Sequence, residues 1–351
     1  MEQIIKQAVG IDCAKSELVV CIRYLDSALQ PHFKATAAFT NDHAGFDKLN
    51  NWVIANKDAQ APLQFIVEAT GVYHEKLCCY LTSQKYNISV VLPVRAANFM
   101  RTLSVKTIND KVSADALAIM GLEKKLDNWQ IPNPQLNLLK QLSRERTELL
   151  EDTTSIKNQI HALNSSAFSP QTTLKRLQSR IEMAQAQLKD IEQEMKELIN
   201  SDTYLKERFE NVCSIKGVGL ITAIIIVAET DGFNLIRNQR QLVSYAGLDI
   251  IKKQSGTSIN TPGKISHRGN VHIRRALHFP ALAAKRFDSN MQEIYGRLLS
   301  KHNVKMKAAV AIQRKLLVLI YTIWKKNEPY NPKYLEQSKE TALTELAHGR
   351  S

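Results

Sequence analysis

Strand-like and helix-like patterns alternate over the first third of the chain and give way to helical patterns alone in the rest. Val9–Cys13 and Leu18–Arg23 are β-rich runs separated by a short polar turn, which predicts a hairpin. Phe33–Phe39 supplies a third strand, and His43–Ala55 has helical periodicity after a capping Asn41 or Asp42. Phe65–Ala69 reads as a fourth strand, Tyr73–Ser83 as a helix, Ser89–Pro93 as a fifth strand and Asp110–Lys124 as a helix. Three leading strands followed by βαβα is the order of an RNase H-like fold. Pro132 and Pro134 then mark a boundary. Beyond it, Leu174, Leu177, Ile181, Ala184, Leu188, Ile191, Met195 and Leu198 recur at alternating steps of three and four. Such a seam serves either a coiled coil between subunits or an intramolecular hairpin with the helical stretch Arg144–Asn164. A third region opens at Cys213 with Ile215-Lys216-Gly217-Val218-Gly219 and runs into an apolar helix, Leu220–Ala228, that ends at Glu229. A Gly-x-Gly turn at a helix start leaves amides free for a phosphate, or is a plain tight turn.

The 351 residues exceed one average domain. The expected division is an RNase H-like domain at 1–128, a helical coiled-coil linker at 129–205, a mainly helical domain at 206–330 and a tail at 331–351. The net charge of +13 is unevenly placed. Asn211 to Lys326 holds 19 Lys/Arg against 5 Asp/Glu, a local excess of +14 that accounts for all of it. Clustered cations of this kind suit a nucleic-acid partner, whose phosphates they neutralise with release of counterions. No stretch reaches the roughly 18–20 apolar residues of a membrane span. The start, MEQIIKQAVGID, carries an early acid and no small-residue cleavage site, so no signal peptide is expected. Cys13, Cys21, Cys78, Cys79 and Cys213 form no C-x-x-C pair, which fits reduced thiols in the cytoplasm.

Two constellations carry chemistry. Asp12 ends the apolar strand Val-Gly-Ile-Asp, and Glu68 sits late in another, Phe-Ile-Val-Glu-Ala. A carboxylate in an apolar strand is costly unless a cation compensates it. With Asp110 and Asp115 these acids form a set of hard oxygen donors suited to Mg²⁺, and paired Mg²⁺ ions stabilise the attacking and leaving oxygens of phosphoryl transfer. The second constellation is Ser255, followed by glycine and preceded by Lys252 and Lys253, with Lys264, Arg268, Arg274 and Arg275 beyond it. A nucleophilic hydroxyl needs backbone freedom and nearby cations. An ordinary Ser-Gly loop turn has the same appearance, and Ser258 and Ser266 share the neighbourhood.

Seven short motifs occur in order: Ile11-Asp12, Val67-Glu-Ala-Thr-Gly71, Lys106-x-x-x-Asp110-Lys111, Ser214-Ile-Lys-Gly-Val-Gly219, Tyr245-Ala-Gly-Leu248, Gln254-Ser-Gly256 and Arg268-Gly-Asn-x-x-Ile-Arg-Arg-Ala-Leu277. As a series over residues 7 to 325 they resemble a transposase of the insertion-sequence-110 class. The resemblance implies a RuvC-like domain with a four-carboxylate site binding Mg²⁺, and a coiled-coil linker. It also implies a C-terminal domain whose serine, here Ser255, attacks DNA and forms a phosphoserine link. It further implies guidance by an RNA transcribed from the element, action as a dimer or tetramer, and a bacterial, nucleoid-associated location. The rival functions are a junction-resolving nuclease that needs no serine and a non-catalytic nucleic-acid binder. The chain departs from the family's Asp-x-x-Asp-Ala pattern, reading Asp110-Lys-Val-Ser113-Ala-Asp115-Ala. On a helix, Ser113 lies about 60° from Asp110 and Asp115 about 140° on the other side. Periodicity therefore favours Ser113, whereas ligand chemistry favours a carboxylate. Asp115 is the expected fourth ligand.

Overall fold

The computed structural model describes residues 3–333 apart from 104, 106, 108, 235, 253, 256–258 and 261–262, with backbone alone at 255, 259 and 260. The chain divides into two compact units, Met1–Ile131 and Pro132–Ser351.

The first unit runs β1 (Ile4–Cys13), β2 (Glu17–Asp26), β3 (Pro31–Thr40), α1 (His43–Asn56), β4 (Leu63–Glu68), α2 (Glu75–Ser83), β5 (Asn87–Val91), α3 (Pro93–Thr102) and α4 (Asp110–Glu123). Its five strands lie in the order β3-β2-β1-β4-β5. The first three pair antiparallel, whereas β1–β4 and β4–β5 are parallel. This is the expected mixed sheet. Alternation along each strand sends side chains to opposite faces. On one face Val9, Ile11, Cys13, Val20, Ile22, Phe65 and Val67 pack with Phe46, Leu49 and Val53 of α1 and with Leu77 and Leu81 of α2. On the other, Ala8 and Ile66 pack with Ala96 and Phe99 of α3 and Leu117 and Met120 of α4. The sequence pattern misses α3, because Pro93 reads as a strand end when it is the proline of the helix's first turn.

Helix α4 lies unusually close to β1. A Cβ on Gly10 would stand 2.0 Å from the carbonyl oxygen of Ala114, and one on Gly121 2.1 Å from Cδ1 of Ile66. The two glycines let the helix settle onto the strand backbone. The side chain of Asn109 accepts a hydrogen bond from the amide of Val112 and so starts α4 at Asp110, over the strand ends.

The second unit runs α5 (Pro134–Asn164), α6 (Gln171–Asn200), α7 (Thr203–Cys213), α8 (Leu220–Glu229), α9 (Gln239–Tyr245), the short strands β6 (Ile250–Ile251), β7 (Gln254–Ser255), β8 (Ile259–Asn260) and β9 (Lys264–Ile265), then α10 (Val271–Ala276), α11 (His278–Phe287), α12 (Ser289–His302) and α13 (Lys305–Lys326). Helices α5 and α6 pack on each other as a hairpin about 45 Å long. Leu177, Ile181, Ala184, Ile191 and Met195 of the heptad seam are buried, and Arg146 pairs with Glu192 across it at 2.8 Å. Of the two uses open to the seam, the chain displays the intramolecular one. Leu136, Leu139 and Leu142 of α5 share a core with Phe209, Ile224, Val227, Ile312 and Trp324. The expected boundary at 205/206 thus falls inside one core. Among the described residues, no helix is long and apolar enough to cross a membrane, and no cysteine is in a disulfide.

Candidate functional site

Asp12 and Glu68 stand on the α4 face of the sheet, at neighbouring ends of the parallel strands β1 and β4, where Ile11 is in register with Val67. The start of α4 brings Asp110 and Ser113 to them. Asp12 is half-buried, and its carboxyl is pushed up to about 6 by burial and by the charges of Asp110 and Glu68. Hydrogen bonds from the Ser113 hydroxyl and the Cys13 amide oppose that rise. Thr70 donates to Glu68 Oε1 at 3.4 Å, and Glu68 and Ser113 line one small crevice with Phe99 and Met100.

Asp115 is elsewhere. Its two carboxylate oxygens accept a bidentate pair from Arg23 of β2, Nη2 to Oδ2 being 2.9 Å, and the Cys21 thiol donates to Oδ1 at 3.2 Å. The residue beside Asp12 is Ser113, in the place that helical periodicity favours. The cation that compensates Asp115, the expected fourth ligand, is a guanidinium in this structure. Nothing local in the sequence announces the partnership, since Arg23 is 92 residues away.

Among the described residues, no three His, Cys, Asp or Glu side chains are close enough to hold a metal ion outright. In kind, however, the donor set fits Mg²⁺: two strand-end carboxylates, a third at a helix start and a hydroxyl, all hard oxygens. Burial, joined by the charges of Asp110 and Glu68, lifts Asp12, and a bound cation would offset both.

The raised Asp12 carboxyl has a measurable consequence. A carboxyl whose folded pKa exceeds its unfolded value near 3.9 costs stability as pH rises from about 4 to about 6, and the cost persists above that. Asp12→Asn is expected to stabilise the metal-free protein by about 1–2 kcal/mol at pH 7, allowing for solvent screening, and by nearly nothing at pH 4. Thermal melts of both proteins in chelator across that range measure it. An equal offset at both pH values would mean that neither burial nor the neighbouring acids raise the Asp12 carboxyl.

In the second unit, Ser255 lies in β7, which pairs with β8 through Ser255↔Ile259. That pair of strands lies between β6 and β9, joined by Ile250↔Ile265 and Ile251↔Lys264. Lys252, Lys264 and Arg268 are exposed around it, and Lys253 lies outside the described residues. Ser266 is engaged at the foot, donating to Asp249. Arg274 is half-buried, and its Nη1 donates to the carbonyls of Ala246 at 2.9 Å and Asn270 at 3.2 Å. Arg275 is exposed and pairs with Glu151 of α5. The two arginines therefore differ. Arg274→Ala is expected to cost about 1–3 kcal/mol of stability through lost internal bonds. Arg275→Ala should cost little stability, and it should flatten the salt dependence of nucleic-acid binding by about one log unit per log salt. If Arg274→Ala melts like the parent yet flattens that slope, Arg274 is a phosphate contact.

Residues 9–169 match a family model for transposases of the DEDD type of IS110, and residues 209–296 match the model described as Transposase IS116/IS110/IS902 family. The chain belongs to the IS110 family of transposases. The first match contains Asp12, Glu68 and Asp110, and the second contains Ser255. The pilin gene-inverting protein of Moraxella bovis is 27% identical over 338 residues, which cover 94% of this chain and 99% of that protein. The transposase for insertion sequence element IS1111A of Coxiella burnetii is 29% identical over 144 residues, covering 40% of this chain and 38% of that one. Among solved structures, Thermus thermophilus RuvC aligns over 35% of this chain and 99% of its own, with 9% identity and a TM-score of 0.28. As an IS110-family protein the chain is an enzyme of DNA strand cleavage and rejoining.

Proposed function

We propose that this transposase breaks and rejoins DNA at the ends of a mobile element through a covalent link to Ser255, assisted by Mg²⁺ at Asp12, Glu68 and Asp110. The observation that carries the reading is the convergence of those three acids, with Ser113, at the ends of β1 and β4. Mg²⁺ bound there would polarise a phosphate oxygen and offset charge on the departing oxygen. Ser255 contributes its oxygen to phosphorus as its proton leaves, and the P–O bond to one DNA strand breaks, freeing a DNA hydroxyl. The phosphodiester's energy is kept in the serine ester. A second DNA hydroxyl then attacks that ester, takes the phosphate and restores the serine, so rejoining needs no ATP. The exposed Lys252, Lys264 and Arg268 offset the phosphate charge, and Lys253 is assigned the same task on sequence alone.

RNA guidance and assembly into a dimer or tetramer belong to the same proposal, supported by the ordered motifs and the +14 excess across Asn211–Lys326. The test is to incubate the full chain with Mg²⁺ and duplex DNA bearing the ends of the element that encodes it. RNA transcribed from that element is added or withheld, and the products are resolved under denaturing conditions. A serine-linked protein–DNA adduct supports the reading. Cut DNA without adduct would make the enzyme a metal-dependent nuclease, and equal activity without RNA would remove the guide.

A further inference from the structure

Glu229 ends the most apolar helix of the chain, and its side chain is 1% exposed. It accepts two bonds from Arg144 of α5, at 2.8 and 3.0 Å, and one from Nδ2 of Asn270 at 2.7 Å. Its own carbonyl accepts from the Tyr245 hydroxyl at 2.9 Å. Burial would favour its neutral form, but Arg144 and Asn270 together hold its carboxyl below the usual range.

Besides Arg144, the partners of Glu229 belong to the two feet of the serine hairpin: Asn270 bonds its carboxylate and Tyr245 its main-chain carbonyl. The incoming foot is the turn after Tyr245, and the outgoing foot runs from Ser266 to Asn270. They are bonded to each other: the Asn270 amide to the Tyr245 carbonyl at 2.8 Å, the His267 amide to the Gly247 carbonyl at 3.2 Å, and the Ser266 amide to the Asp249 carbonyl at 2.8 Å. Gly269 permits this approach, since a Cβ there would stand 2.4 Å from the Tyr245 oxygen. Asn270 also caps α10 by accepting from the Ile273 amide at 3.1 Å. One carboxylate thus sets the orientation of Asn270, and with it the junction from which β6 and β9 carry Ser255.

An ion pair is a poor device for stability alone, because two apolar side chains of similar volume do as well or better in a core. What an apolar pair cannot do is accept a hydrogen bond from Asn270. We infer that Glu229, oriented by Arg144, is a positioning residue that fixes the frame of the Ser255 hairpin for strand cleavage. The inference rests on Ser255 being the nucleophile.

Two variants of the full chain test it, Glu229→Gln and the apolar double replacement Arg144→Met with Glu229→Leu. The probes are element-end DNA with Mg²⁺ and the RNA transcribed from the element, thermal melting, and amide exchange without nucleic acid. For Glu229→Gln, adduct formation at saturating DNA should slow about tenfold or more, with half-saturation unmoved. Amides of Ser266, His267 and Asn270 should exchange faster while those of α13 stay unchanged. The double variant should melt close to the parent and remain slow. A double variant that matches the parent in both melting and adduct rate overturns the inference, because Glu229 would then only fill the core. Should that variant fail to fold, exchange in Glu229→Gln decides, and unchanged or uniformly faster exchange overturns the inference. If the parent itself forms no adduct, the assignment of Ser255 falls, and with it the catalytic part of this inference. The same exchange data still show whether Glu229 holds the feet.

Discussion

Ser255→Ala is expected to abolish the covalent protein–DNA adduct and to lower strand exchange by about 10³-fold or more, the scale on which loss of a nucleophile is felt. Nucleic-acid affinity should stay within about twofold. The change removes one oxygen and no cation, and affinity for nucleic acid rests chiefly on phosphate contacts. Melting should also be unchanged, since the pairing of β7 with β8 uses the backbone of Ser255. Ser266→Ala is the matched control. Its hydroxyl is occupied at the foot of the hairpin by Asp249, so this variant should still form adduct, more slowly if the foot loosens. Adduct retained in Ser255→Ala, or lost in Ser266→Ala with normal melting, would move the nucleophile.

The second large effect is at the acids. Asp12→Ala and Glu68→Ala should each reduce Mg²⁺-dependent cleavage by about 10²-fold or more, the scale of losing a group that stabilises developing charge. The fourth position separates two residues by the kind of damage done. Ser113→Ala deletes the hydroxyl that bonds Asp12 and should slow cleavage by about tenfold without a large change in melting. Asp115→Ala strands Arg23, whose side chain is 18% exposed, and should cost about 1–3 kcal/mol of stability with cleavage largely kept below the melting point. Normal stability with lost cleavage in Asp115→Ala would return that residue to the metal site.

Asp12 and Glu68 were legible because a charged residue within a run of Val, Ile and Phe has few inexpensive explanations, and alternation puts both on one face. The choice between Ser113 and Asp115 was not. It turns on where α4 begins, which the Asn109 cap settles at Asp110, and on a guanidinium from a distant strand. Helical geometry pointed to Ser113 and ligand preference to Asp115. Ligand preference alone does not show that Asp115 has Arg23 as a partner. Arg274 shows the same limit. Beside Arg275 it reads as a second phosphate contact, yet its guanidinium holds two carbonyls inside the fold. The strands that carry Ser255 are two residues each, too short for any alternation. What specifies them is the turn after Tyr245 and the loop before Asn270, brought together from across a gap in sequence. Glu229 was visible only as the end of an apolar run; a buried acid there is a signal that such a helix has a polar partner waiting.

The long hairpin of α5 and α6 has two cores of unequal size. Near its base the two helices are continuous with the large core of the second unit, whereas the far half is held by Ile156, Leu177 and Ile181. Opening free energies follow such cores, so the tip should fray and close many times for each opening of the base. The bend between the helices carries Phe168 at 89% exposure, and a protease would find its first cut there. Two chains so nicked would stay folded around the serine hairpin, and a peptide inserted at the same bend would ride on a stalk whose root does not yield.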